Sequence, residues 1–167
     1  MVLASPPGLA SSLSVCIQSI VANEIGYRTK ALCYFDFAAV MDLSDVGGNV
    51  MHGAHIASIG GTWMALIYGF AGMRDAGGRV SFRPSLPDEW SSLSFTLIVR
   101  GCTMRADINQ ATTTYHLMDG AQLTIRHCGE AIMLSTVTPT ISCANSPIAA
   151  ESVSGFANMR PASSKAE

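Results

Sequence analysis

The residues best able to do chemistry crowd into one stretch, Met51-His52-Gly53-Ala54-His55-Ile56-Ala57-Ser58-Ile59-Gly60-Gly61. It reads as a run of small residues leading into the start of a helix. Free backbone N–H groups and the positive end of the helix dipole make such a place receptive to an anion. His55 and Ser58 would add two donors, and the glycines would let a ligand approach the backbone closely. A histidine beside a helix start also serves as a cap or a packing residue, and the residues alone leave both readings open. His52 and His55 do not make a metal site, because two imidazoles without a third ligand do not close one. Elsewhere, Asp42 and Asp45 suit an acid–base pair or the Asx turns that follow helices. Glu24 suits a buried acid or a helix surface, and Trp63 a sugar platform or core.

The composition limits what this stretch can serve. The chain has 167 residues, ten Lys plus Arg against twelve Asp plus Glu, and a formal net charge of −2. A nucleic-acid binder needs a basic stripe to displace counterions, so that class is excluded. With 49% hydrophobic residues the chain has enough apolar surface to fold. Its charged fraction of 13% is unusual, since soluble domains carry about 25%. The five cysteines are widely spaced, without a CxxC pair, and read as buried thiols in a reducing compartment. Residues 1–23 carry no charged side chain and so lack the basic start of a secretory signal. A cytoplasmic location is expected. Residues 56–73 are uncharged but contain Gly60, Gly61, Gly69 and Gly72, which favours a buried helix over a membrane span.

The elements that must hold the candidate stretch follow from periodicity. Ser12 or Ser14 caps a helix with apolar positions at Val15, Cys16, Ile20, Val21 and Ile25, ended by Gly26. A second helix is expected over residues 27–41, a loop over 42–49, and a third helix from Ile56, punctuated by Ala76-Gly77-Gly78. The period then changes to two. Leu93, Phe95, Leu97 and Val99 alternate with polar or outward positions, as do Cys102, Met104, Ala106 and Ile108, with Thr113, Tyr115 and Leu117 continuing. Asp119-Gly120 is the strongest hairpin signal, and Cys128-Gly129 marks another turn. Val80 and Phe82 predict a short early strand, and Leu86-Pro87-Asp88-Glu89-Trp90 a rigid link. Evenly spaced strands joined by tight turns predict an antiparallel sandwich. From Thr136 onward Ser, Thr, Ala and Pro predict a disordered tail.

Several ordered segments carry a family resemblance. They are Asn23-Glu24-Ile25-Gly26-Tyr27, Ala31-Leu32-Cys33-Tyr34-Phe35, Met41-Asp42-Leu43-Ser44-Asp45 and His55-Ile56-Ala57-Ser58-Ile59-Gly60-Gly61-Thr62-Trp63. Gly72-Met73-Arg74-Asp75, Leu86-Pro87-Asp88-Glu89-Trp90 and Leu123-Thr124-Ile125-Arg126-His127 continue the series. Together they resemble the C-terminal end of glycoside hydrolase family 65, which contains maltose, trehalose and kojibiose phosphorylases and acid trehalases. The resemblance implies an α+β chain holding the final helices of an (α/α)6 barrel followed by a small antiparallel β-sandwich. On that template residues 1–78 end the catalytic barrel, 79–135 form the sandwich, and 136–167 the tail.

The same resemblance implies a phosphate-binding role for His55, Ser58 and Gly60, with phosphate as co-substrate in a phosphorylase and no other cofactor or metal. The family's catalytic Glu and its Lys-Gln pair lie in barrel sequence upstream of these residues, so no catalytic residue is expected here. His52 departs from the pattern, standing where an acidic residue is expected. The implied function is part of an enzyme that phosphorolyses or hydrolyses α-glucosidic disaccharides of the trehalose, maltose or kojibiose type, inactive alone. A non-catalytic carbohydrate-associated or interaction module is the alternative. Three helices cannot close a twelve-helix barrel, and their exposed faces would exceed the few hundred Å² that a monomer tolerates. A truncated product or fragment, completed by an upstream barrel polypeptide or by a second copy, is therefore expected. The low charged fraction fits that expectation.

Overall fold

The computed structural model describes residues 12–40 and 56–146. Two thirteen-residue helices come first, α1 (Ser12–Glu24) and α2 (Arg28–Val40). Gly26, at φ +85°, ends α1 as its position predicted, with the Tyr27 amide donating to the Ala22 carbonyl at 2.8 Å. The third helix, α3 (Ile56–Met64), runs into a π-helical turn over Ala65–Phe70. Among the described residues no helix is long and apolar enough to cross a membrane.

Small residues let these helices approach closely. A Cβ added at Gly61 would lie 2.7 Å from Cys16 Sγ, so the second glycine of the pair is a contact between α1 and α3. Asn23, buried near the end of α1, donates through Nδ2 to the carbonyls of Gly69 (3.0 Å) and Ser85 (3.1 Å). One side chain thus ties α1, the π turn and the following link together. Phe35, Phe70 and Trp90 form a mutual edge-and-tilt cluster beside it, with centroids 4.8–5.6 Å apart. The link is not a free spacer: Ser85, Leu86 and Pro87 are buried, and the Ser85 amide donates to the Phe70 carbonyl at 2.8 Å.

Seven strands follow: β1 (Ser81–Phe82), β2 (Ser92–Val99), β3 (Cys102–Asn109), β4 (Thr112–Asp119), β5 (Gln122–His127), β6 (Glu130–Ser135) and β7 (Thr140–Ala144). They form two sheets, ordered β1-β5-β6 and β2-β3-β4-β7. The expected alternation holds along β3, whose Cys102, Met104, Ala106 and Ile108 are buried. Cys102, Met104 and Ala106 share a core with Leu123 and Ile125 of β5 and Leu134 of β6, whereas Ile108 packs in a cluster with Phe70 and Leu86. The chain is thus α+β, ending in a sandwich.

Three expectations change. The first is the tail: residues 140–144 form β7, which pairs antiparallel with β4. Ile141 and Cys143 pack on the core while Thr140 and Ser142 face outward against His116 and Thr114. The period of two is present there, carried by small polar residues that resemble coil by composition. Residues 147–167 lie outside the described residues. The second is the strongest hairpin signal, Asp119-Gly120, which joins strands of different sheets. The two-residue hairpins are Arg100-Gly101 and Cys128-Gly129, each with both residues at positive φ. The third is the early strand: β1 runs parallel to β5, so the sandwich is not wholly antiparallel.

Candidate functional site

The described part of α3 runs from Ile56 to Met64, where the periodicity predicts helix. Asp42, Asp45, His52 and His55 lie outside the described residues. Ser58 is buried, and its carbonyl accepts from the Thr62 hydroxyl at 3.1 Å, with the Cys16 thiol 3.8 Å away. Gly60 is exposed, and a Cβ added there meets nothing within 4 Å. Two positions apart on a helix, Ser58 and Gly60 point to opposite sides. Ser58 shares the face of Gly61, turned to α1, whereas Gly60 lies among the exposed Ile56, Ile59 and Trp63. The described part of α3 therefore leaves an open approach over Gly60 and turns Ser58 away from it.

Among the described residues no group of three or more His, Cys, Asp or Glu could hold a metal ion. Glu24 is a surface acid, paired with Arg74 at 3.0 Å, and Trp63 is about half exposed. The π turn that follows α3 ends at Phe70, and Gly72, just beyond its cap, has φ +62°. A Cβ there would fall 2.0 Å from the Arg83 carbonyl oxygen, so only glycine lets the two strands of chain meet.

One buried polar network escaped sequence reasoning. Tyr115 and His127 face each other inside the sandwich, with the hydroxyl 2.8 Å from Nδ1. His127 Nε2 donates to the Ala144 carbonyl at 3.0 Å, so Nδ1 accepts from the Tyr115 hydroxyl. Burial pushes the Tyr115 pKa well above that of a free phenol. The pair locks β4, β5 and β7 together, which is a structural task. Its signal in sequence is weak, because only the strand registers bring positions 115, 127 and 144 together.

Comparison with known proteins agrees with this architecture. The pattern of the glycosyl hydrolase family 65 central catalytic domain matches residues 9–64, and that of the family 65 C-terminal domain residues 73–134. An uncharacterized glycosyl hydrolase of Mycobacterium tuberculosis is 43% identical over 132 residues, covering 78% of this chain and 17% of that protein. The α,α-trehalose phosphorylase of Thermoanaerobacter brockii is 42% identical over 124 residues, covering 74% of this chain and 16% of that protein. A solved structure described as a kojibiose phosphorylase from the human microbiome superposes with a TM-score of 0.75 at 25% identity, covering 83% of this chain and 20% of that chain. The chain thus spans about a sixth of the length of the curated relatives it matches. It belongs to glycosyl hydrolase family 65, of which it carries the end of the central catalytic domain and the C-terminal domain.

Proposed function

We infer that the chain is one wall and the end cap of a cytoplasmic enzyme that splits α-glucosidic disaccharides of the trehalose, maltose or kojibiose type, with inorganic phosphate as the attacking group. The observation that carries this reading is the 42% identity to the trehalose phosphorylase across 124 residues, spanning helices and sandwich alike. The start of α3 is its phosphate subsite. His55, Ser58 and Gly60, the positions that the family resemblance assigns to phosphate, make up this subsite, and Gly60 leaves space for the anion to approach. An inverting displacement needs an acid on one face of the sugar and the nucleophile on the other. These residues contribute only to the nucleophile's side, and the proton donor belongs to the remainder of the barrel.

The exposed apolar faces fit this division of labour. Ile17, Val21 and Ile25 on α1, with Tyr27 and Tyr34, line a groove of about 300 Å³. Ile56, Ile59 and Trp63 form a second exposed stripe on α3. Neighbouring barrel helices cover both, in the same polypeptide or in a partner.

Reconstitution tests the reading. The chain alone, mixed with a family 65 barrel polypeptide lacking this portion, is assayed for sugar phosphate release from trehalose, maltose and kojibiose. The expected result is activity only in the mixture, reduced at least ~100-fold by His55→Ala, as for the loss of an anion-stabilising donor. Full activity of the mixture with His55→Ala and Ser58→Ala together would remove the phosphate subsite from α3.

A further inference from the structure

A cavity of about 430 Å³ lies where the end of α1 and the π turn meet the β1–β5 ribbon. Its floor follows from strand register. Arg74 bridges Ser81 through two 2.8 Å backbone bonds, and Ser81 stands opposite Arg126 across the parallel pair. Phe82 and His127 are buried, so the alternating partners Ser81, Arg83, Arg126 and Cys128 share the other face of the ribbon. The wall is the end of α1, where the Glu24 carboxylate lies 3.0 Å from Arg74 Nη2.

Charge singles this cavity out. The chain has only ten Lys plus Arg, and three of them line it. Arg74 is fully engaged, donating to the carbonyls of Tyr68 (2.7 Å) and Met73 (2.6 Å) as well as to Glu24. Arg126 donates to the Gly129 carbonyl at 3.1 Å but meets no carboxylate among the described residues, and Arg83 has no side-chain partner among them. Arg83, one residue past β1, and Arg126 of β5 both line this cavity, and neither meets a carboxylate among the described residues, so the cavity carries positive charge that favours an anion. Their planar forks match the oxygens of a phosphate monoester. Beyond its contact with Arg74, the Glu24 carboxylate keeps lone pairs free to accept from hydroxyl groups.

We propose that this cavity binds a small phosphorylated sugar, with the phosphate held between Arg83 and Arg126 and a sugar hydroxyl donating to Glu24. The site lies beyond the C-terminal end of α3, uses none of His55, Ser58 or Gly60, and does not rest on the function proposed above. Its regulatory or catalytic meaning would follow from occupancy.

Titration calorimetry of the full chain with glucose 1-phosphate, inorganic phosphate and glucose tests it, with side-chain amide NMR of the arginines as a second readout. The expected order is glucose 1-phosphate tighter than inorganic phosphate by about tenfold or more, and no binding of glucose. Arg83→Ala and Arg126→Ala each weaken glucose 1-phosphate by about tenfold. Arg83→Lys and Arg126→Lys, which keep charge and fold but lose the fork, weaken it by less. Glu24→Gln narrows the gap between sugar phosphate and phosphate. No binding, equal affinity for both phosphates, or unaltered affinity in both alanine variants would overturn the proposal. Loss of binding in His55→Ala alone would also overturn it, placing the anion at the start of α3.

Discussion

The helices and the sandwich solve opposite problems. The sandwich buries Met104, Tyr115 and Leu134 completely, in a core that Ile67 and Met73 from the helical side help to close. The helices bury one side and leave the other bare: Ile17, Val21, Ile25, Ile59 and Trp63 are each about half exposed, and Ile56 is 75% exposed. A helix facing solvent would carry charges on that side. The contrast teaches that the two regions were shaped by different neighbours. The exposed apolar residues of the sandwich, Ile98, Met118, Met133 and Val137, are scattered over separate strands and a turn, whereas those of α1 and α3 recur at helical spacing as one stripe each, the pattern of a layer that packs against further helices.

The junction between the two regions is where the comparison breaks most easily. Gly72→Ala forces a Cβ into the Arg83 carbonyl at a positive φ, and should cost more than about 3 kcal/mol in denaturant unfolding. Next in size is a matched pair of substitutions. Leu134→Ala, inside the sandwich, should cost about 2–5 kcal/mol. Ile59→Lys, on the bare face of α3, should change the stability of the isolated chain by within about 0.5 kcal/mol. Equal costs would erase the distinction between a finished and an unfinished core.

Within the sandwich, Tyr115→Phe leaves the buried His127 Nδ1 without its donor and should cost about 1–3 kcal/mol. The smallest effect is on the sheet surface. Arg105 (2.9 Å) and Ser94 (2.6 Å) donate to the Asp107 carboxylate and hold its pKa below the usual carboxylate range. A depressed folded pKa gives stability that is present above about pH 4, the unfolded value, and is lost as pH falls through the folded value. Thermal melts of Asp107→Asn should therefore differ from the parent at pH 6 and converge with it at pH 2.

The same division explains what was legible in sequence. Residues 93–108 alternate cleanly because each strand has one wet face, and Gly26 marks a helix end by its backbone alone. The strand at 140–144 was hidden because its outward residues are Thr and Ser and its inward ones only Ile141 and Cys143. The hairpin signal at Asp119-Gly120 was misread because a turn motif reports local backbone shape and cannot say which sheet receives the next strand. At the site, a helix over residues 56–64 was readable from its spacing. Which way Ser58 and Gly60 point depends on the packing of α1 against Gly61, a contact forty-odd residues apart in the chain. The arginine-lined cavity was invisible for a similar reason, since the register of β1 with β5 aligns residues far apart in sequence.

The central claim is that these residues hold part of the nucleophile's side of a sugar-cleaving centre and none of its acid. A prolonged assay of the purified 167-residue chain with phosphate and trehalose, maltose or kojibiose, read by release of glucose and sugar phosphate, tests it most directly. The account predicts no release above the uncatalysed background. Sustained turnover that disappears on replacing a carboxylate of the chain, such as Glu24→Gln, would contradict it.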